Sequence, residues 1–596
     1  MLLGRRRHTP DDTPIGYLLG DHVTMTAGWL SGSELRVGLG CMRLSTDDGA
    51  DDERAVATIA AAAASGITVF DTARAYGPNE RVLAGALRGC GAAATARIVT
   101  KGGMARPGGG WAPDGRAKAI RADCEASLEA LGGLPIDLYL IHAPDPRTPW
   151  RTSVRALARL VDEGLVGRVG VSNVNRGQLD EAMALAPIAA VEVAVSLFDD
   201  RALRGGVVER CAEAGVTVIA HSPLGGPRRG RTLARRPELV AVARSHGVTP
   251  AEAALAWVLG LGTHVVAIPG ARRPETARSA ARAASLVLDD AERERLAPSR
   301  RASAATGPGA SEVVVVMGIP GAGKSRVAEE YAARGFVRLN RDQRGGTLRE
   351  TAEALDAALA SGAQRVVLDN TYATRSSRSH LLEAAAPHGA RVRCVWLDTP
   401  LAQAQVNMVA RLLDRFGSLP TPEEVRAVAR SEPGVMAPTG QMRVLREFEA
   451  PEPDEGFASI ERVPFSRAPA NGRGGVFVAA SALRAEHWRD ELASVHPGAA
   501  HLVFDWLPDG SADDLAAAAA LIAKVVRGPV QRAVCPHGGG PPTCWCRPPL
   551  PGLVLAFSRA VGVDPSGSTL VGTSTAHRTL ATTVGARFLG VRPDAV

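Results

Sequence analysis

Residues able to move protons recur in this chain at the downstream ends of short β-branched runs. Asp71 falls in ITVFDT, Lys101 in RIVTKG, His142 in IDLYLIH, Ser172 and Asn173 in RVGVSN, Glu192 in AAVEVAV and His221 in VTVIAHS. A carboxylate, an ammonium and an imidazole gathered at one mouth supply the parts of general acid–base chemistry. A second grouping, Gly318-Ile-Pro-Gly321-Ala322-Gly323-Lys324-Ser325, satisfies G-x-x-x-x-G-K-[ST] between a strand and a helix. Loop amides there can cradle phosphate, Lys324 is expected to reach the terminal phosphates and Ser325 to bind magnesium. The third is Cys535, His537, Cys544 and Cys546, spaced C-x-H-x6-C-x-C. Three thiolates and an imidazole suffice for a closed, structural zinc site, and in a reducing compartment metal binding outcompetes a disulfide.

Lysine is scarce: of 69 basic residues only Lys101, Lys118, Lys324 and Lys524 are lysine. Arginine serves elsewhere, so a remaining lysine marks a need for a compact ammonium with a tunable pKa. Two of the four lie in the first two groupings.

These residues need elements to hold them. A chain of 596 residues exceeds one core, which stops growing near ~250–300 residues, so several domains are expected. From Leu35 to Pro298 eight β-branched runs alternate with helical stretches such as Asp52–Ser65 and Arg116–Leu131, the pattern of a parallel (β/α)8 TIM barrel. An open doubly wound sheet competes, but its early G-x-G-x-x-G is missing. The domain reading is a 1–33 tail, a 34–297 barrel, a 298–311 linker rich in Pro, Ser, Gly and Ala, a 312–467 P-loop α/β domain and a 468–596 α/β domain. The net charge of +7 reads as an arginine-rich solvated surface rather than a nucleic-acid footprint. Without a membrane-length apolar run or an apolar stretch after the N-terminal arginines, the expected location is cytoplasmic. The other five cysteines are expected to pack as small apolar groups.

FDTARAYG, VTKGG and LIHAPDP resemble the aldo-keto reductase family, whose tetrad is an Asp, a Tyr five residues later, a Lys and a His on successive strand ends; Asp71, Tyr76, Lys101 and His142 match it. The resemblance implies reduction of a small-molecule carbonyl by NADPH or NADH, with Tyr76 as proton donor. Lys101 is expected to lower the phenol's pKa, Asp71 to hold Lys101, and His142 to bind the substrate oxygen. GVSN, HSPLGG and IPGARRPE look like its cofactor segments, implying contacts from Ser172, Asn173, Glu192, His221, Ser222, Leu224, Pro269, Gly270 and Arg272. The family's usual Gln stands here as Glu192, its stacking Tyr as His221, and its Arg and Asn after the Pro-Gly turn as Thr276 and Ala280. Arg272, Arg273 and Arg278 remain to meet a 2′-phosphate, which favours NADPH.

The stretch from Glu312 to about Phe465, with NRD at 340–342 and VVLDNTYATRSSRSHL at 366–381, resembles the kinase half of polynucleotide kinase-phosphatase proteins. That implies ATP with magnesium, Asp342 as the base toward a hydroxyl on a nucleic-acid 5′ end or small molecule, Asp369 beside the magnesium, and Arg378 and Arg411 as phosphate contacts. Tyr372 departs from the family's DNTN. The alternative is a nucleotide-sensing or partner-binding module without kinase activity. The run CPHGGGPPTCWCRPPLPG with LVGTSTAHRTLATTVGA resembles zinc-loop haloacid-dehalogenase-like phosphatases, notably heptose-bisphosphate and histidinol-phosphate phosphatases. Ala479 and Ser481 stand where that family has its two aspartates, Pro548 where it has lysine, and Thr573 where it has an acid, so the resemblance implies a pseudo-phosphatase.

Overall fold

The computed structural model describes residues 29–46, 51–297, 311–429, 431–432, 434–467, 472–485, 488–508 and 512–591. Its strands form three parallel sheets and one small hairpin.

The first sheet runs in chain order: β1 (Leu39–Gly40), β2 (Val69–Asp71), β3 (Arg97–Gly102), β4 (Leu138–Ile141), β5 (Arg168–Ser172), β6 (Ile188–Ala194), β7 (Thr217–His221) and β8 (Val265–Ile268). Parallel bridges Val37 to Ala267 and Gly40 to Gly270 join the first strand to the last and close the barrel. Strands buried on both faces read as β-branched runs rather than alternations, and the helices Asp52–Ala64 and Ala117–Leu131 fall where the pattern placed them. Inward side chains Val69, Val99, Leu138, Leu140, Ile219 and Ile268 fill the barrel together with Trp29. Trp29 changes the reading of residues 1–33. Residues 1–28 lie outside the described residues, but Trp29 is 4% exposed and its Nε1 donates to Asp137 Oδ2 at 2.5 Å, just before β4. The barrel's lower end is thus stoppered by a residue assigned to the tail.

The second sheet has β9 (Glu312–Met317) at its centre, flanked by β11 (Arg365–Asp369) and β12 (Arg391–Asp398), with β10 (Val337–Leu339) and β13 (Ser459–Pro464) at the edges. The third runs β16 (Val530–Cys535), β15 (His501–Trp506), β14 (Val476–Ala479), β17 (Thr569–Gly572), β18 (Arg587–Gly590). Its order reverses between β14 and β17, the switch point at which ligands of open α/β sheets bind. The edge strands β13, β16 and β18 were not anticipated; their partly exposed, mixed sequences carry no continuous apolar run. The 298–311 linker lies outside the described residues except for Ser311.

The barrel and the second unit touch through the helix Arg375–Ala385. Arg204 of the barrel pairs with Glu383 at 2.7 Å and donates to Ser379 Oγ at 3.2 Å, and Arg176 pairs with Asp454 at 2.8 Å. Among the described residues no helix is long and apolar enough to cross a membrane.

Candidate active site

β2 and β3 are parallel neighbours in which Asp71 is opposite Val99, and Lys101, two residues further along β3 and so on the same face as Val99, reaches back to Asp71. Lys101 is fully buried; its Nζ bonds Asp71 Oδ2, donates to Thr72 O at 3.1 Å, and lies 3.2 Å from Glu192 Oε2 on β6. Tyr76 follows β2 on a single 3-10 turn, Arg74–Tyr76, which ends at Gly77 with φ of 68°, a backbone that favours glycine. A buried Asn79 locks that turn, accepting from Thr72 Oγ1 at 2.6 Å and donating to Cys41 O at 2.9 Å. The Tyr76 ring has Lys101 Nζ 5.6 Å from its centroid and meets the ring of His142, just past β4, edge-on at 5.7 Å.

Trp111 completes the cluster, 6.2 Å from Tyr76 and 5.6 Å from His142 between ring centroids. Sequence reasoning missed it, along with Met42, Arg43 and Met104, which line the same cavity. The usable signal was the glycine-rich stretch GGGW after β3, since loops at the C-terminal mouth of such a barrel carry substrate contacts.

This cavity is about 670 Å³ and takes in Asp71, Tyr76 and His142. Of the sequence-predicted cofactor contacts, Asn173, Glu192, His221, Ser222, Leu224, Pro269 and Gly270 line it. Ser172 is buried behind them and its Oγ accepts from Asn173 Nδ2 at 3.0 Å; Arg272 is half-buried beyond the lining. Asn173 (φ 56°) and Ser222 (φ 50°) hold left-handed backbones, costly conformations that concentrate at ligand sites. His221 Nε2 lies 3.1 Å from Asn173 Oδ1, so it is bound in the wall of the cavity. Ala280 is core.

The electrostatics give Lys101 the expected direction and add a larger, opposite effect of burial. Burial pushes the Tyr76 phenol up from its ordinary range, and Lys101 opposes that push without overcoming it. Burial disfavours the Lys101 charge, but Asp71 and Glu192 outweigh it and hold the ammonium protonated. Burial and the Glu192 charge raise Asp71. His142 is lowered to about 3, by burial first and by Lys101 second, and is neutral.

In the second unit the glycine-rich loop lies between β9 and the helix Lys324–Ala333. Gly321 is pinned from above: a Cβ there would stand 2.2 Å from Ala404 O, and Asn407 donates to Gly321 O at 2.8 Å. Thr399 Oγ1 donates to Ala322 O at 3.1 Å, and Gly318 and Gly323 both have positive φ. Lys324 Nζ donates to the carbonyls of Gly318 and Ile319, each at 3.0 Å, and Ser325 is the next helical residue. Asp369 ends β11 beside the loop, but both its oxygens are taken by Arg338, at 2.8 and 3.1 Å. Asp342 falls in the short helix Arg341–Arg344, and its side chain lies outside the described residues. Arg411 is exposed on the helix Leu401–Phe416, its Nη1 3.4 Å from Gly434 O.

Arg378, expected at the phosphates, is turned inward and engaged by other partners. It is fully buried, paired with Glu455 at 2.5 and 2.7 Å, and ties down the carbonyls of Tyr372 and Glu449. Only such a complete set of partners makes a fully buried guanidinium tolerable. Tyr372 is also buried, within the sheet's apolar core.

In the third unit Cys535 ends β16, and His537, Cys544 and Cys546 follow in one loop. The four ligand atoms lie within 4.8 Å of one another, with neighbouring separations of 3.2 to 3.7 Å. Metal bonds of ~2.0–2.3 Å in a tetrahedron give ligand separations of about that size, so the residues fit zinc. Trp545, between two of the cysteines and 1% exposed, donates to Met436 O at 2.9 Å and packs with Met408 and Leu412 of the second unit. At the β14–β17 switch point Ser481 Oγ and Thr573 Oγ1 hydrogen-bond to each other at 2.8 Å. Cys41, Cys124, Cys211 and Cys394 pack in the interior as expected, whereas Cys90 is exposed.

The aldo/keto reductase family model matches residues 36–299, and an AAA domain model matches residues 313–431. The aldo-keto reductase str7 of Strobilurus tenacellus is 32% identical over 271 residues, 41% of this chain and 79% of its own length. The probable aldo-keto reductase 1 of Glycine max is 33% identical over 269 residues, 39% of this chain and 76% of its own. Among solved structures, an aldo/keto reductase from Klebsiella pneumoniae in complex with NADP and acetate is 28% identical, covering 45% of this chain and 92% of that one with a TM-score of 0.40. By its N-terminal barrel this chain belongs to the aldo/keto reductase family and is an NAD(P)H-dependent oxidoreductase.

Proposed function

We infer that the barrel reduces a small-molecule aldehyde or ketone with NADPH through Tyr76, Lys101, Asp71 and His142. The observation that carries this is one cavity onto which Asp71, Tyr76 and His142 open with Lys101 buried against them. His142 Nδ1 is a buried polar atom without a hydrogen bond among the described residues, in a side chain that lines that cavity, which suits a polar ligand. Asn173, Glu192 and His221 would hold the nicotinamide end, and Ser222, Leu224, Pro269 and Gly270 the sugar-phosphate end. Arg272, Arg273 and Arg278 would face a 2′-phosphate, which is the reason to prefer NADPH over NADH. When bound, the reduced nicotinamide supplies the hydride.

Tyr76, kept neutral by burial, supplies the proton to the carbonyl oxygen. The Lys101 ammonium steadies the phenolate left behind, and Asp71 with Thr72 O fixes the ammonium in place. Neutral His142 offers an N–H to the same oxygen, while Trp111 walls the cavity beside both rings. Loss of reduced-nicotinamide absorbance with a panel of aldehydes tests this. Tyr76→Phe should abolish turnover and leave cofactor binding intact; turnover retained in that variant sinks the tetrad.

The second unit we read as a binder of ATP with magnesium through Gly318, Gly321, Gly323, Lys324 and Ser325, with phosphate drawing Lys324 from the loop carbonyls. Phosphorylation of a nucleic-acid end or small-molecule hydroxyl is one use. A nucleotide-sensing module is the other, favoured by the Arg338 grip on Asp369 and by the helix Arg375–Ala385 resting on the barrel. Label transfer from ATP to 5′-hydroxyl oligonucleotides and a hydroxyl panel separates the two. The third unit is read as a haloacid-dehalogenase-like pseudo-phosphatase with structural zinc, for which metal analysis should return one zinc per chain and phosphatase assays no activity. NADPH, ATP and metal-bound thiolates together suit the cytoplasm.

A further inference from the structure

Glu192 is a buried carboxylate in the barrel site that the tetrad does not use. It is 3% exposed, lines the cavity with Tyr76, and its Oε2 carries no hydrogen bond among the described residues while standing 3.2 Å from Lys101 Nζ. The ammonium therefore answers to two carboxylates, Asp71 from β2 and Glu192 from β6. Around them lie Cys41 after β1, Tyr76 on the turn after β2, His142 after β4, His221 on β7, and Arg43 in the cavity wall. Cys41 is buried with its thiol pushed up, and both histidines are pushed down, so none of these three carries a charge near neutral pH.

The geometry points to Glu192 as a positioning residue for proton transfer: it divides the Lys101 charge between two carboxylates and so adds to what burial already does to favour the phenol form of Tyr76. Phenol is the form that donates in reduction, and phenolate the form that accepts a proton in the reverse oxidation of an alcohol. Glu192 thus sets how high the pH must rise before the reverse direction finds its base. The role in catalysis rests on Tyr76 being the donor; the effect on the phenol does not.

The test keeps the two apart. Tyrosinate ultraviolet difference absorbance is titrated in the full-length protein, with the matching Tyr76→Phe variant subtracted, in the wild type and in Glu192→Gln. Glu192→Gln should lower the Tyr76 midpoint by about one pH unit, a tenfold change in proton affinity. The acid limb of alcohol oxidation should move down with it. Glu192→Asp, which keeps the charge on a shorter stem, should restore most of the wild-type midpoint, and Glu192→Ala, which also removes the charge, takes the place of Glu192→Gln if that variant does not fold. An unmoved midpoint in Glu192→Gln, or an Asp variant that titrates like Gln, overturns the proposal. A midpoint that moves while Tyr76→Phe retains turnover leaves the effect of Glu192 standing and overturns the tetrad instead.

Discussion

Lys101 and Lys324 are two of four lysines in the chain, and their surroundings differ in kind. Lys101 is sealed in the barrel mouth between two carboxylates, so its charge is part of the fold. Lys324 is half-buried and bonded to two carbonyls of its own loop, groups that phosphate oxygens can replace. The neighbouring acids repeat the contrast: Asp71 is already on its lysine, whereas Asp369 is held by Arg338. One site is assembled by strand register; the other is an anion cradle whose cation and carboxylate are engaged within the protein.

The sharpest way to break this contrast is to remove each ammonium. Lys101→Met strands two buried carboxylates and should destabilise the barrel by about 3–5 kcal/mol, read as a lowered denaturation midpoint of the barrel. Arg378→Ala should cost the second unit a similar ~3–5 kcal/mol, because Glu455 is left buried and unpaired. Nucleotide affinity per folded molecule should not change, whereas loss of a phosphate-contacting arginine would lower it. Lys324→Met is the opposite case: the fold should hold, while ATP affinity measured by calorimetry drops by the ~1.5–3 kcal/mol of a charge-assisted contact. A barrel unaffected by Lys101→Met, or a second unit unfolded by Lys324→Met, would reverse the comparison.

The most gradual effect is that of pH. His142 is lowered to about 3 in the folded barrel, while an unfolded imidazole takes its proton near ~6.5. The unfolded state therefore binds the extra proton between these values, and stability should fall as pH falls through that window, by at most ~1.4 kcal/mol per unit. The contribution is fully present above the unfolded value. Denaturation midpoints against pH should slope more steeply in the wild type than in His142→Asn.

Much of the catalytic architecture could be read before the structure. Strand β3 coincides with RIVTKG and β9 with EVVVVM, because a doubly buried parallel strand must be apolar along its length. Edge strands such as Ser459–Pro464 were illegible for the converse reason, since half of their side chains meet water and the sheet itself supplies their order.

What the sequence by itself determined is therefore the local chemistry: the strand-end acids and bases, the phosphate loop and the close-set cysteines and histidine. In the phosphate loop and the cysteine–histidine cluster the spacing is short enough for local backbone geometry to bring the groups together, whereas the strand-end acids and bases meet at one mouth because the strands of the sheet are parallel. What only the tertiary structure decided is pairing between distant elements. Trp29 stoppers the barrel, Arg338 claims Asp369, Arg378 turns inward to Glu455, Trp545 enters the second unit, and Glu192 reaches Lys101. A buried charge takes whichever opposite charge the packed elements bring within reach, and that is a property of the closed barrel and stacked sheets rather than of any motif.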